Sequence, residues 1–193
     1  MKIMIDDLKE LGHKAIKSFG YNDHETQMIL DVLMYAQLRG NNQGLVKLIG
    51  NGIPKDHRAS DIRIIKETPF SVLLDGAYNM AIIVANRAVE LALEKARKHG
   101  LGIVGANNTY SSSGAIGYYA RAISEEGFIG CVFASSAPRV CTHGSYEPVF
   151  GTNPLAIGVP TSGEPVVLDM ATAAIANYGI IEAETAGASL PDG

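Results

Sequence analysis

The sequence is short of the features that mark several large classes of protein. Its 193 residues contain no tryptophan and only two cysteines, and 16 lysines and arginines against 20 acidic residues give a net charge of −4. A chain without a positive excess lacks the basic field that holds a phosphate backbone, so no nucleic acid partner is expected. No apolar run reaches the length of a membrane span, so no membrane association is expected either.

The cysteines and the N-terminal residues bear on metal binding and on cellular location. Cys131 and Cys141 lie ten positions apart, with no CxxC pair and no cluster of histidines and cysteines around them. Their arrangement predicts no metal site. The first twenty residues carry acids and lysines throughout and lack the apolar segment of a signal peptide. We therefore expect a cytoplasmic protein with reduced thiols.

What the sequence does contain is an alternation of helical and strand-like segments, with 47% hydrophobic residues available for a core. Apolar spacing predicts helices at 6–19, 22–39 and 44–49. Beyond them, strands are predicted at 61–76, 100–106, 127–135, 155–160 and 165–170, with helices at 80–99 and 114–126. This pattern predicts an α/β fold with a small N-terminal helical subdomain, residues 1–58, and a layered mixed-sheet domain, residues 59–193. The loop-like end of the sequence looks like an interruption of that second domain.

One glycine motif has to be weighed separately. Gly100, Gly102 and Gly105 match GxGxxG, which in a Rossmann unit follows a strand and opens a helix around a pyrophosphate. Here the motif follows a predicted helix, and its interior is itself strand-like. We therefore predict a helix stop followed by a glycine-rich strand, and a non-Rossmann fold.

Several segments resemble the malate/L-lactate dehydrogenase family. The most specific is EPVFGTNPLAIGVPTSGEPVVLDMAT at 147–172, which is similar to the GTNP and LDMAT signatures of that family in their order and spacing. LRGNNQGLVKL at 38–48 resembles the family element LRG-x-x-SHG-x-x-RL, and SSSGAIGYYAR at 111–121 resembles NHFG-x-x-GYYAR. GFIGCVFASSAP at 127–138 is similar to the strand and turn that follow, so the resemblance runs along nearly the whole chain.

The resemblance implies an activity and an assembly. It implies hydride transfer between NAD or NADP and the C2 carbon of a small 2-oxo or 2-hydroxy acid. It also implies a homodimer whose active sites draw on both subunits. A C-terminal portion with further cofactor contacts is expected to be absent from these 193 residues.

The catalytic positions depart from the family. Lys47 stands where the family has an arginine, so it is a candidate for pairing with the substrate carboxylate, although a solvated helix lysine is the open alternative. Gln43 and Ser112 stand where the family has its two histidines. Both donate hydrogen bonds, and neither titrates near neutrality.

Two other residues are candidates for the missing acid. Tyr110 lies beside the serine run and would need a lowered pKa, and His143 lies in the THGSYEP loop. Packing or surface positions are the alternatives for both. For the cofactor, the resemblance implies contacts in the GTNP and LDMA segments and after the strand at 127–135: Ser136, Thr152, Asn153, Asp169, Met170 and Ala171.

Alternatives remain within this cofactor segment and for the whole protein. Asp169 is also placed to cap a helix beginning near Thr172, and the GTNP turn can shape the site without touching a ligand. The predicted function is an oxidoreductase. The alternative is a catalytically silent or truncated family member that binds nucleotide or a partner subunit.

Overall fold

The structure, a computed structural model, describes residues 2–173 and 177–189. The chain divides into two compact units, Met1–Tyr119 and Ala120–Gly193. The first unit begins with helices α1 (Ile5–Ser18) and α2 (Asp23–Gln37) and the 3₁₀ helix Leu45–Leu48. Helices α1 and α2 pack on each other. Ile16, Ile29 and Leu33 are fully buried, as the predicted helical spacing of apolar residues requires.

A capping box fixes the start of α2. Asn22 Oδ1 accepts a hydrogen bond of 2.9 Å from Glu25 N–H, and the Glu25 carboxylate accepts one of 2.9 Å from Asn22 N–H. Two of the N–H groups that a helix start leaves without partners are satisfied in this way. The helix predicted at 22–39 is confirmed, with Asn22 as its cap and Asp23 as its first residue.

Removing this cap has a measurable cost. We expect Asn22→Ala to lower the free energy of unfolding by about 1 kcal/mol, because the Glu25 N–H loses its acceptor. Urea unfolding followed by far-ultraviolet circular dichroism measures the loss. Asn51→Ala changes an exposed asparagine outside the described helices and is the control. An equal loss in both variants would contradict the capping role of Asn22.

The first sheet is built around a helical crossover. Its elements in chain order are β1 (Arg63–Glu67), β2 (Ser71–Asp75), α3 (Ala81–His99) and β3 (Ile103–Asn107). Strand β1 pairs antiparallel with β2, and β3 pairs parallel with the other edge of β2. Helix α3 covers one face, where Val72 and Leu74 of β2 form a core cluster with Val84 and Leu91.

The GxGxxG glycines have packing roles at the junction of α3 and β3. Gly100 ends α3 with a left-handed backbone, φ +79°, and its N–H donates to Ala96 O at 2.8 Å. Gly102 brings β3 against the helix, since a Cβ there would lie 2.0 Å from Ala92 O. The strand follows the helix rather than preceding it, so the prediction of a helix stop and a glycine-rich strand is confirmed.

The second unit contains an antiparallel sheet and a hairpin. Its elements in chain order are β4 (Gly130–Phe133), β5 (Val140–Cys141), β6 (Pro148–Phe150), β7 (Leu155–Val159), β8 (Val166–Met170) and α5 (Asn177–Ala186). The sheet has the order β4-β7-β8, and β5 pairs with β6. Helix α4 (Gly117–Glu125) packs closely on this sheet, since a Cβ at Gly158 would lie 2.4 Å from both Ala120 O and Ser124 Oγ.

The mixed α/β fold with a helical N-terminal region is confirmed, while the short strands β5 and β6 were not predicted. The division after residue 58 falls between the 3₁₀ helix and β1, and it stays a prediction as a domain boundary. Among residues 2–173 and 177–189, no helix combines the length and the apolar character needed to cross a membrane.

Candidate active site

Lys47 lies inside the first unit, on the 3₁₀ helix, and only 3% of it is exposed. Gln37, at the end of α2, holds the start of this short helix: its Oε1 accepts from Leu45 N–H at 3.1 Å. Gly44 permits that approach, because a Cβ there would lie 2.7 Å from the same oxygen. The alternative of a solvated surface lysine at position 47 is therefore wrong.

Lys47 and Ser112 meet across 65 positions of sequence. Lys47 Nζ donates to Ser112 Oγ at 3.0 Å, and Gly114 N–H donates to the same oxygen at 3.0 Å. Burial lowers the pKa of Lys47 to about 8, because removing an ammonium group from water disfavours its charged form. The two candidate positions thus form one polar site inside the first unit.

The loop that carries Ser112 is held in an uncommon backbone conformation. Ser111 has φ +60°, and Gly114 has φ +71° with a prospective Cβ only 2.5 Å from Val32 Cγ1. The buried Tyr119 hydroxyl donates to Ser113 O at 2.8 Å. Such strain persists only where surrounding contacts hold it in place, and it is frequent at functional sites.

Sequence reasoning missed Gln37 and Tyr119, which position the helix of Lys47 and the loop of Ser112. The GYYAR resemblance includes Tyr119 but gives no sign of its contact with Ser113. Gln37 stands just before the LRG element and belongs to no motif. Only the folded arrangement shows the part that each of them plays.

The other catalytic candidates have contacts of their own. Gln43 is half-buried, and its Nε2 donates to Asn42 Oδ1 at 3.4 Å. Tyr110 pairs through its backbone with Asn79 and Ala81. Burial is the main cause that raises the pKa of Tyr21, with smaller contributions from Glu25 and from the Tyr110 phenol. His143 is exposed in the second unit, in the turn between β5 and β6.

The candidate cofactor residues lie in the second unit, where three chain segments meet. Ser136 Oγ accepts from Thr152 N–H at 3.1 Å, and Thr152 O accepts from both the backbone N–H and the hydroxyl of Thr172 at 3.0 Å. Gly151 makes the approach possible, because a Cβ there would lie 2.5 Å from Ser136 O. The segments after β4, before β7 and after β8 therefore converge.

The LDMA residues stand at the end of β8, beside this junction. Asp169 is opposite Ala156 of β7, Met170 is 48% exposed, and the half-buried Ala171 follows the strand. Asp169 is a residue of strand β8, Thr172 and Ala173 are not helical, and the described part of α5 begins at Asn177. Asn153 has φ +37°, a second strained non-glycine position at a candidate site.

Comparison with solved structures defines the class. The chain matches the malate dehydrogenase of Entamoeba histolytica with a TM-score of 0.89 and 27% identity, over 99% of this chain and 55% of that one. It matches the malate dehydrogenase of Pyrococcus horikoshii OT3 with a TM-score of 0.83 and 32% identity, over 93% and 53%. The fold is therefore that of this class of dehydrogenase.

Comparison of sequences gives the family. The malate/L-lactate dehydrogenase family model matches residues 3–193, and the chain belongs to that family. It is 35% identical to the malate dehydrogenase of Pyrococcus abyssi over 201 residues, covering 100% of this chain and 54% of that protein. The L-sulfolactate dehydrogenase of Methanocaldococcus jannaschii is 32% identical over 194 residues, covering 96% and 55%. The chain spans about half the length of these relatives.

Proposed function

We propose that this protein is an oxidoreductase that transfers hydride between NAD or NADP and a small 2-oxo or 2-hydroxy acid. The observation that carries the proposal is the buried Lys47 bonded to Ser112, at two positions where the family resemblance locates active-site residues. An ammonium group binds a carboxylate as a point charge, so a lysine at this position suits an acid substrate.

On the substrate side, Lys47 attracts the acid and Ser112 offers it a hydroxyl. The family position of Lys47 belongs to an arginine, which binds a carboxylate with two parallel hydrogen bonds, whereas lysine acts as a point charge. We therefore propose that the acid is held by one charged contact together with the Ser112 hydroxyl. Gln43, Tyr110 and His143 remain candidates for additional contacts.

The residues of the second unit fit the polar parts of a nicotinamide nucleotide. Gly151 lets the backbone segments approach closely, and the hydroxyls of Ser136 and Thr152 lie at the junction beside Asn153. Hydroxyls and turn amides donate to phosphate oxygens, and a strand-end carboxylate such as Asp169 accepts from ribose hydroxyls. Met170 and Ala171 would line the same region. When bound, the nicotinamide supplies or accepts the hydride.

The assembly and location are proposed on the family relationship. The protein acts in the cytoplasm as a homodimer, with the remainder of each active site supplied from outside the 193 residues. The relatives are nearly twice as long as the matched region, which supports the need for further contacts.

A catalytically silent member is the second candidate. The observation that favours it is that glutamine and serine stand at positions 43 and 112, where the family resemblance has histidines. Such a protein would keep the nucleotide site and bind NADH without turning over an acid.

Turnover and binding of nucleotide by the full chain distinguish the two candidates. NADH or NADPH is incubated with a panel of 2-oxo acids and cyclic imines, and the nicotinamide absorbance is followed. An oxidoreductase consumes the reduced nucleotide with at least one of them. Calorimetric binding of NADH without consumption would establish the silent member instead, and absence of both binding and turnover would rule out both. A gain of activity in Gln43→His would show that the scaffold remains intact.

A further inference from the structure

Ser112 has one hydrogen-bonding group left to offer a ligand. Its Oγ accepts from Lys47 Nζ and from Gly114 N–H, each at 3.0 Å. A serine hydroxyl has two acceptor sites and one hydrogen, and here two donors occupy the acceptor sites. The hydroxyl hydrogen points away from both donors, so towards a further ligand Ser112 can act as a hydrogen-bond donor.

Lys47, which donates a hydrogen bond to this hydroxyl, can serve as a proton donor. Around the 3₁₀ helix, Gly12 of α1 lies against Leu45, Gln37 of α2 accepts from Leu45 N–H, and Ser112 accepts from Lys47 Nζ. The same segments carry further titratable groups, among them His13 of α1, Tyr35 of α2 and Tyr110 near Ser112. Burial brings the pKa of Lys47 to about 8, close to the neutral range in which a proton donor is most effective. An arginine at this position would keep its proton.

We propose that Ser112 and Lys47 together replace the missing histidine acid, with Ser112 touching the oxo oxygen and Lys47 acting as the proton source behind it. The proposal rests on the proposed function. As the substrate carbon receives hydride from the reduced nicotinamide, the electron pair of the C=O bond moves onto oxygen. That oxygen takes the proton of the Ser112 hydroxyl, and Ser112 Oγ takes a proton from Lys47 Nζ. Lys47 is left neutral and recovers a proton from water.

The pH profile of reduction follows from this order of transfers. Protonated Lys47 is the active form, so kcat/KM for reduction falls as pH rises through about 8, and the rate of the reverse oxidation rises over the same range. Lys47→Arg loses most of the reduction rate at every pH and shows no such limb, because its proton is not released. Ser112→Ala loses about a hundredfold of kcat or more, whereas Ser112→Thr retains a hydroxyl and most of the rate.

Binding of oxamate, an unreactive analogue of a 2-oxo acid, tests the pair without turnover. Calorimetry of the full chain at pH 8.5, in buffers of different ionisation enthalpy, measures the protons taken up per oxamate. With a pKa of about 8, Lys47 is partly neutral at that pH, and an adjacent anion favours the charged form, so net proton uptake on binding is expected. Lys47→Arg should bind oxamate without this uptake.

Lys95→Met is the matched control, because Lys95 is also buried but pairs with Glu67 on β1, away from the site. Its proton uptake should equal that of the unchanged chain. Absence of oxamate binding, or uptake that persists in Lys47→Arg, overturns the proposal. Failure of the proposed function has a different signature, which is proton-coupled oxamate binding without consumption of NADH or NADPH.

Discussion

The Gly102→Ala variant is expected to lose about 3 kcal/mol of unfolding free energy. An alanine Cβ there would lie 2.0 Å from Ala92 O and 2.8 Å from Ala92 C, both backbone atoms of α3. Neither atom can move without displacing α3 from β3, so the loss falls at the upper end of the usual cost of overpacking. Urea unfolding followed by far-ultraviolet circular dichroism is the suitable measurement, since the chain has no tryptophan to report fluorescence.

Gly105→Ala is the matched control within the same strand. Its Cβ would make an ordinary contact, 3.5 Å from Leu73 Cδ1, so we expect a change within about 0.5 kcal/mol. The pair also tests the rejected Rossmann interpretation, in which the glycines of GxGxxG serve the phosphates and the packing of the first helix. A folded Gly105→Ala variant that has lost NADH binding would show that the motif contacts the nucleotide after all.

The helices and most strands could be predicted because their signals are local. The cap of α2 involves Asn22 and Glu25, three positions apart, and the start of the helix follows from that spacing. The strands of the second sheet are continuous apolar runs, and Asp169 was assigned to the end of such a run. The hairpin of β5 and β6 lacked this signal, because its strands contain only two and three residues.

The burial of Lys47 could not be predicted from its neighbours in sequence. The segment Leu45–Leu48 is too short to show which side of a helix is buried. Its burial depends on Gln37 and on Ser112, and the latter lies 65 positions away. The family resemblance located both positions, but it implied an arginine and a histidine with separate tasks. The direct hydrogen bond between Lys47 and Ser112 suggests that the two residues perform one task together.

The Gly151→Ala variant is expected to weaken NADH binding more than tenfold. Its Cβ would lie 2.5 Å from Ser136 O and 2.7 Å from Ser136 Oγ. Relief of that clash separates the two segments and breaks the 3.1 Å hydrogen bond from Thr152 N–H to Ser136 Oγ. The polar groups of the junction then no longer converge, so a nucleotide bound there loses its contacts. Calorimetric titration with NADH measures the affinity, and circular dichroism checks that the variant is folded.

Gly163→Ala is the control for this substitution, because a Cβ at Gly163, between β7 and β8, meets nothing within 4 Å. It should bind NADH as the unchanged chain does. Ser136→Ala is a second variant for the case that Gly151→Ala does not fold, because it adds no atom. It removes the hydroxyl that accepts from Thr152 N–H. We expect Ser136→Ala to weaken NADH binding by about tenfold, because one hydrogen bond is lost and the Thr152 N–H is left without its acceptor. Unchanged NADH affinity in a folded Gly151→Ala variant would show that the nucleotide does not bind at this junction. If that variant does not fold, unchanged affinity in Ser136→Ala would show the same. Neither result would affect the arrangement of Lys47 and Ser112.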